Sequence, residues 1–263
     1  EGLGDSDLYN PWGGGIVGIG ELEDAAIVRP ANLNEFMFTL GRFTVKPETI
    51  EVHETGRNGG PAIIRMTGVM RPIPFIDSIG RTLFRSDYSN LTVVVDYELQ
   101  PGAEHVDVFF EITNPTDTTL ERTVRGVLAM QTKRMPLYLP NSGFVTSDAN
   151  NAFVAYVDDD ATSYGLSVPG GTIKHIFEIS GVNVLSGGDM VIQPQSTVRV
   201  QVARLHVGGV GIDGLREAYS RSEGITTRAI TGRVLESNGT PAAGVRVHAL
   251  DGAGENYLTR VTT

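Results

Sequence analysis

Five histidines are the side chains best suited to acid–base chemistry, and they are scattered singly: His53, His105, His175, His206 and His248. No two stand at a spacing such as His-x-His or His-x-x-x-His, the local patterns that chelate a metal. Acid–base work on a sugar would need two histidines and a carboxylate in one pocket. Candidate combinations are His105 or His175 with Glu111 or Glu178. Strand alternation puts His53 and His105 on the polar parity, which favours solvated histidines.

A run of three carboxylates, Asp158, Asp159 and Asp160, follows one strand-like segment. Neighbouring carboxylates repel one another unless solvent or a cation screens them, and hard oxygen ligands of this kind suit calcium. Polar side chains at 148–151 could add ligands from the preceding turn. The spacing lacks the register of an EF-hand loop, so a solvated acidic turn is the favoured interpretation. The alternative is a calcium site at these three aspartates, the one cofactor that the sequence suggests.

Aromatic side chains are the best candidates for binding a flat apolar surface such as a sugar ring. Tyr9 and Trp12 have the strongest claim to exposure, because they lie in a glycine-rich loop. Phe36, Phe38 and Tyr138 are further candidates. Packing in the core is the favoured interpretation for aromatic residues as a group. A carbohydrate contact at Tyr9 and Trp12 is the alternative.

Composition excludes several classes of function. The chain of 263 residues has no cysteine, which excludes disulfides, thiolate catalysis and cysteine-bound metal centres. No Gly-x-Ser-x-Gly segment marks a nucleophile, and the glycines at 13–20 lack the lysine, serine and helix of a phosphate loop. With 31 acidic against 21 basic residues the formal charge is −10, which opposes binding to nucleic acid. No apolar stretch reaches the roughly 20 residues of a transmembrane segment.

Strands with alternating apolar residues must position any site in this chain. The odd positions are apolar in 91–99 and the even positions in 106–112, which predicts an antiparallel hairpin joined at 100–103. Further strands are expected at 16–19, 35–40, 49–54, 62–69, 123–131, 153–157, 164–168, 173–179, 190–192 and 197–207. The parity slips between Val202 and Leu205, which predicts a β-bulge or a strand that passes between sheets.

One segment has helical periodicity: Ile212, Leu215 and Tyr219 recur at i, i+3 and i+7. Asp213 is the expected cap of this helix and Gly224 its expected end. We therefore predict an all-β fold, a large many-stranded antiparallel β-sandwich at residues 1–225 with one short helix. The first strands of a small β-sandwich of transthyretin or immunoglobulin type would follow at 226–263, and this second domain would be incomplete.

Three strands are expected in the terminal segment, at 230–234, 244–250 and 257–262. Three strands of about 35 residues cannot bury a self-sufficient core. The prediction is therefore that the chain is a processed or truncated product of a longer protein, or that a neighbouring copy completes these strands. An unpaired edge with an apolar row at Val245, Val247 and Ala249 would attract another strand, and repeating that head-to-tail contact would build a filament.

The terminal segment also carries a pattern of glycine, proline and valine: Ile230-x-Gly232-x-Val234, then Gly239-x-Pro241-x-x-Gly244-Val245-x-Val247. This pattern resembles the start of the carboxypeptidase regulatory-like family, a small transthyretin-like β-sandwich. Residues 259–263 match the threonine-rich strand of that family, whereas the Asp-x-x-Gly-aromatic turn that follows it is absent. Modules of this family are usually non-catalytic parts of exported proteins, which implies an extracellular or cell-envelope location.

The larger region carries a diffuse pattern: Pro11-Trp12-Gly13-Gly14-Gly15-Ile16, Asn32-Leu33-Asn34-Glu35, Tyr97-x-Leu99-x-Pro101-Gly102 and Ile112-x-Asn114. It is similar to the β-sandwich that precedes such modules in large exported bacterial proteins, and to carbohydrate-associated supersandwich domains related to galactose mutarotase. The first hypothesis is a non-catalytic structural or binding segment of an exported multidomain protein. The alternative is a carbohydrate-active or carbohydrate-binding supersandwich domain. Two histidines and a carboxylate in one pocket, with perturbed pKa values, would favour this alternative.

Overall fold

The structure is a computed structural model that describes residues 33–73, 87–131, 135–179 and 181–263, except 90, 145, 146 and 148, and three short strands before residue 31. This part of the chain has seventeen strands and one helix, α1 (Gly211–Ser222). The strands are β1 (Ile16–Val17), β2 (Gly20–Glu23), β3 (Ala26–Pro30), β4 (Leu33–Leu40), β5 (Phe43–Thr55), β6 (Ala62–Pro72), β7 (Thr92–Leu99), β8 (His105–Asn114), β9 (Leu120–Gln131), β10 (Leu137–Tyr138), β11 (Phe153–Tyr156), β12 (Thr162–Ser167), β13 (Lys174–Ile179), β14 (Val182–Ile192), β15 (Ser196–Val210), β16 (Arg246–Leu250) and β17 (Tyr257–Thr262). Within these residues, no helix has the length and apolar character needed to cross a membrane.

Thirteen of the strands form one antiparallel sheet. Its strand order is β10-β11-β12-β15-β8-β7-β6-β5-β4-β9-β14-β13, with β1 beside β4. This order departs from the chain order at β15, which lies between β12 and β8, and at β9, which lies between β4 and β14. The pairs β2–β3 and β16–β17 form two separate two-stranded sheets.

The large sheet curls, so that strands far apart in its order share one core. Phe110 of β8, Leu166 of β12 and Leu185 of β14 belong to the same cluster of buried apolar side chains. Because β12 and β14 lie near opposite ends of the sheet, this cluster closes between two facing halves. Each fully buried side chain of this size stabilises the fold by about 1.5–3 kcal/mol relative to an exposed one. The predicted all-β sandwich with one helix is thereby confirmed.

The hairpin β7–β8 has the two faces that its alternation predicts. Val95 and Phe110 lie opposite each other and are about 1% exposed, so they form part of the core. Asp96 and Phe109 form the next opposite pair, which lies on the outer face. Gly102 has φ +73° in the connecting turn, a conformation that side chains other than glycine rarely adopt. The predicted hairpin is confirmed.

Strand β15 bulges where its sequence parity slips. Its register against β8 shifts between Gln201 and Ala203, next to the predicted slip. Beyond the bulge, Arg204 lies opposite Asp107 and His206 lies opposite His105. Because alternate residues of a strand share a face, all four side chains lie on the same face of the sheet. The bulge therefore returns the polar residues at the end of β15 to the outer face of the sheet.

The glycine-rich cluster at 186–189 forms a bulge and not a turn. It lies inside β14, where the register against β9 shifts between Ser186 and Asp189. Gly188 adopts φ +84° within this irregularity. Glycine and serine mark turns and bulges alike, so the sequence alone does not distinguish a turn from a bulge inside a paired strand.

Helix α1 packs beside β12 and β15. Ile212 and Leu215 are 0% exposed, as the periodicity predicts. The helix begins after Val210, so the prediction of Asp213 as its cap is wrong, and this residue lies in the first turn. Gly224 follows the end of the helix with φ +65°, as expected of a helix-terminating glycine.

Gly208 of β15 allows the helix to approach the strand closely. A Cβ atom here would lie 2.6 Å from Cα of Leu215 and 2.7 Å from its N atom. Because backbone atoms cannot move aside as side-chain ends do, we expect Gly208→Ala to lower the free energy of unfolding by about 1.5 kcal/mol. Gly209→Ala is the matched control, since its Cβ would meet no atom within 4 Å. Urea denaturation compares the two, and equal midpoints would contradict the close approach.

The terminal segment forms one hairpin and not three strands. Residues 230–234, predicted as a strand, belong to none in the structure, and only an isolated bridge joins Leu235 to Pro241 nearby. Strands β16 and β17 pair antiparallel as expected. Ile230 is 86% exposed, because no neighbouring strand covers it.

The hairpin β16–β17 contacts the segment at 137–144. The Tyr257 ring lies 6.0 Å from the Tyr138 ring and 5.7 Å from the Phe144 ring, measured between centroids. Tyr138 Oη donates a hydrogen bond of 2.8 Å to the carbonyl of Leu258. The guanidinium of Arg260 lies 3.9 Å from the centre of the Phe144 ring. These contacts cross the predicted domain boundary near residue 225, which stays a prediction.

Candidate functional site

The aromatic residues predicted to bind carbohydrate fall into two groups. Tyr9 and Trp12 lie outside the described residues. Phe36, Phe38 and Tyr138 are 0%, 3% and 1% exposed. The favoured interpretation of core packing is therefore correct for these three, and they offer no surface to a ligand.

The run Asp158, Asp159 and Asp160 lies in the turn between β11 and β12. Asp158 Oδ1 accepts hydrogen bonds from the backbone N–H groups two and three residues later, at 3.0 and 3.1 Å, which closes the turn. Asp159 Oδ2 lies 2.7 Å from the guanidinium of Arg260 and 3.3 Å from that of Arg246. No three acidic or histidine side chains in the described part of the chain are grouped to hold a metal ion. Asp159 in this turn is thus paired with two arginines, and a calcium site at the three aspartates stays a prediction.

The structure gives other partners to the suggested acid–base combinations. Glu111 lies opposite Arg199 across β8 and β15. Glu178 lies opposite Asn183 across β13 and β14, and His175 Nε2 contacts the Asn183 side-chain oxygen at 3.1 Å. His175 is thereby held by its own hairpin.

His105 and His206 form a cross-strand pair at the end of β8 and β15. The Val207 N–H donates a hydrogen bond of 3.0 Å to the Glu104 carbonyl, so the adjacent histidine pair occupies a non-hydrogen-bonded position, where side chains come closest. The ring centroids are 5.8 Å apart. An Asp107 carboxylate oxygen lies 3.7 Å from His105 Nε2. Two histidines and a carboxylate therefore do converge, in a combination that the sequence analysis did not suggest.

His206 is enclosed beneath helix α1. It is 1% exposed, its Nε2 lies 2.8 Å from Ser167 Oγ, and its ring centroid lies 5.4 Å from that of Tyr219. Its Nδ1 is buried and has no hydrogen-bond partner among the residues that the structure describes. Burial, followed by the charges of His105 and Arg204, lowers the pKa of His206 to about 3. The ring is therefore neutral at physiological pH.

A cavity of about 650 Å³ lies between the β7–β8 turn, the end of β15 and helix α1, and we name it the helix–hairpin cavity. Its polar lining consists of Glu104, His105, Glu217 and Arg221, and its apolar lining of Leu99, Ala103, Val106, Val207 and Ala218. Glycines at 208, 209 and 214 complete it. The volume falls within the range of about 300–1,000 Å³ that is typical of small-molecule sites.

Arg221 connects the two glutamates of the cavity. Its guanidinium lies 2.5 Å from Glu104 and 2.6 Å from Glu217. The three side chains are 50–61% exposed, so solvent screens both ion pairs and neither contributes much to stability. Pairs this weak can exchange for hydrogen bonds to a ligand at little cost.

The outer face of the sheet carries a separate ion-pair network. Arg65 donates two hydrogen bonds of 2.8 Å to Asp96, while Arg199 contacts both Asp96 and Glu98 and lies 4.0 Å from the centre of the Phe109 ring. Burial acts to raise the pKa of Asp96, but Arg65 and then Arg199 outweigh it and hold this pKa below its ordinary value. Because these charges satisfy one another, the network is assigned to holding β6, β7 and β15 together.

Comparison with known proteins gives no family assignment. No protein-family model and no curated protein sequence matches the chain. Among solved structures, a GH36 alpha-galactosidase of Geobacillus stearothermophilus in complex with stachyose has 16% identity and a TM-score of 0.45, over 78% of this chain and 34% of that chain. An alpha-galactosidase from Lactobacillus brevis has 9% identity and a TM-score of 0.42, over 78% of this chain and 32% of that chain. The chain spans about a third of these proteins, and similarity this low carries no argument about activity.

Proposed function

We propose that this chain is a non-catalytic module that binds a neutral carbohydrate in the helix–hairpin cavity. The observation that carries the proposal is the division of the lining, with Glu104, His105 and Arg221 as polar groups and Leu99 and Val207 as an apolar wall. A sugar ring has the same division, because its hydroxyl groups point outward from the edge and its C–H groups cover the faces. Sites of this kind combine an apolar wall with a few placed polar groups.

The polar groups of the cavity complement the two roles of a hydroxyl group. Glu104 and Glu217 accept hydrogen bonds, and Arg221 donates them. A neutral His105 does both, since one ring nitrogen donates while the other accepts. Burial and then Arg204 lower the pKa of His105, which favours this neutral form.

The charge of the cavity supports a neutral ligand over an anionic one. Glu104 and Glu217 outnumber Arg221 in the lining. The whole chain carries a formal charge of −10. A phosphorylated ligand would meet repulsion from both, whereas an uncharged sugar would not.

The surroundings of the candidate groups favour binding over catalysis. His206, the second histidine of the pair, is enclosed beneath the helix and is not part of the lining. Glu104 and Glu217 are at least half exposed and paired with Arg221. A carboxyl group prepared as a general acid sits instead in apolar surroundings.

Titration of the chain with methyl glycosides of glucose, galactose and mannose tests the proposal. We expect one of them to bind, and we expect Glu104→Gln to weaken its affinity about tenfold through the loss of a charged hydrogen-bond acceptor. Calorimetry measures the affinity. Glu51→Gln, at an exposed position of β5, is the matched control and should bind like the unaltered chain.

The proposed site would be refuted by two results. One is the absence of binding to every glycoside of the panel at millimolar concentration. The other is an equal loss of affinity in Glu104→Gln and Glu51→Gln, because that would place the ligand away from the cavity.

We further propose that the module belongs to an exported multidomain protein and self-associates through hairpin β16–β17. The resemblance at 230–247 supports export, and fractionation that finds the parent protein only in the cytosol would refute it. Val245 and Val247, both 37% exposed, support self-association through the predicted apolar row. Sedimentation that shows a monomer at every concentration would exclude this contact.

A further inference from the structure

His105 connects the helix–hairpin cavity to the buried region under helix α1. Its side chain is 15% exposed and lines the cavity. On its other side the ring contacts His206, whose ring in turn contacts Tyr219 of the helix. Three rings therefore lead from the cavity wall to the underside of the helix, and a change at His105 has a direct route to both.

We propose that the helix–hairpin cavity is a proton-controlled site, in which neutral His105 forms the ligand-accepting wall and protonated His105 moves out of it. The ligand release that this control implies rests on the proposed carbohydrate binding, whereas the proton step can be observed without any ligand. Histidine is the side chain whose charge ordinarily changes between about pH 5 and pH 8, so the control would act in the physiological range or just below it.

Titratable and charged groups face His105 from the elements packed around it. They are Glu98 on β7, Glu104 and Asp107 at the start of β8, Arg204 and His206 on β15, and Glu217, Tyr219, Arg221 and Glu223 in and after α1. Arg204 opposes a proton on His105, and Asp107, Glu223 and Glu104 favour it. The pH at which His105 takes up a proton is therefore set by neighbouring groups of known charge, and each of these groups can be substituted separately.

Protonation of His105 gives its ring a positive charge and so changes its electrostatic interactions with the neighbouring groups. The Asp107 carboxylate, 3.7 Å away, becomes an opposite charge that attracts the ring. Arg204, whose Nε lies 2.7 Å from the same carboxylate, becomes a like charge that repels it. His206 cannot share the charge, because it is buried without a partner for its Nδ1. The charged ring gains by moving toward the Asp107 carboxylate, which is not part of the cavity lining, and this movement alters the cavity wall.

An NMR titration of the ligand-free chain from about pH 8 to about pH 5 tests this control. The ring signals of His105 report its protonation, and the methyl signals of Leu99 and Val207 report the cavity wall. We expect all three to change with one common midpoint below the ordinary histidine value. Methyl signals that stay constant while His105 titrates would overturn the proposal.

Two substitutions of opposite effect separate charge control from general damage. Arg204→Gln removes the opposing cation and should raise the midpoint by about 0.5–1 pH unit, a three- to tenfold change in proton affinity. Asp107→Asn removes the favouring anion and should lower the midpoint. Arg204→Lys keeps the charge and should leave the midpoint near that of the unaltered chain. Shifts of Arg204→Gln and Asp107→Asn in the same direction would overturn the proposal.

The test of proton control does not depend on every variant folding. If Arg204→Gln fails to fold, the midpoints of Asp107→Asn and the unaltered chain still carry the test. A final titration with the methyl glycosides of glucose, galactose and mannose, each at about pH 7.5 and about pH 5.5, separates this inference from the proposed function. Tighter binding at the higher pH supports both, and equal affinity at the two pH values refutes proton control of binding. Absence of binding refutes the carbohydrate proposal and leaves the proton step to the NMR result.

Discussion

Acidification from about pH 7 to about pH 4.5 is expected to remove about 2–3 kcal/mol of stability through His206 alone. Burial, and then the charges of His105 and Arg204, lower the pKa of His206 from 6.5 to about 3 in the folded chain. In the unfolded chain the same ring binds a proton near its ordinary pKa. Between the two values only the unfolded state gains the proton, so the stabilisation is complete above about pH 6.5 and is lost as the pH falls toward 3.

Urea denaturation of His206→Gln at both pH values measures this contribution. The glutamine can still bond to Ser167 and cannot take up a proton, so acidification should cost the variant about 2–3 kcal/mol less than the unaltered chain. His53→Gln, at an exposed position of β5, is the control and should respond like the unaltered chain. An equal acid sensitivity in His206→Gln would show that His206 does not titrate as a buried neutral ring.

Tyr257→Ala is expected to lower the free energy of unfolding by about 3 kcal/mol, the lower end of the range for removing a large aromatic side chain from a core. The ring packs between Tyr138 and Phe144, and a Cβ at Gly143 would lie 2.9 Å from its Cγ atom. No other residue of the hairpin places an aromatic ring in this cluster. Without it, the apolar contact between hairpin β16–β17 and the sandwich is largely lost.

Tyr257→Phe is the matched control for this substitution. It keeps the ring and removes only the hydroxyl group, which contacts His248 Nδ1 within the hairpin. We expect its stability to fall by less than about 1 kcal/mol, the usual contribution of one exposed hydrogen bond. Limited proteolysis should cut the alanine variant after residue 225 sooner than the phenylalanine variant. Equal stability and equal cleavage of the two would mean that the hairpin does not depend on Tyr257.

Local patterns predicted those parts of the fold that depend on neighbours in the chain. The two alternating segments at 91–112 are joined by a short turn. The alternation of apolar residues in each segment was therefore sufficient to predict the hairpin β7–β8. The helix at Gly211–Ser222 could likewise be predicted from the spacing of Ile212 and Leu215. The strand expected at 230–234 failed for the converse reason. Its residues are suitable for a strand, but the described structure provides no partner beside them.

The candidate site depended on pairings between distant segments. His105 and His206 meet only because β15 lies beside β8 with a bulge at Gln201 and Ala203. The slip in parity was visible in the sequence, and following it through the bulge places His206 on the polar face with Arg204. The strand order that brings this face to His105 was not visible. Likewise the two arginines that contact Asp159 lie about 90–100 residues later in the chain, so the sequence did not show this pairing.

The place of β15 in the sheet has a consequence for the order in which the chain can fold during synthesis. Strand β8 ends at Asn114, yet the partner that covers its edge begins at Ser196, about 80 residues later. At about 5–20 residues per second, a ribosome needs roughly 4–16 s to add that length. Until then β8 presents a row of unpaired backbone groups, the kind of edge that invites pairing with another nascent chain. The long interval makes the open edge of the emerging β7–β8 hairpin a segment that a chaperone would protect.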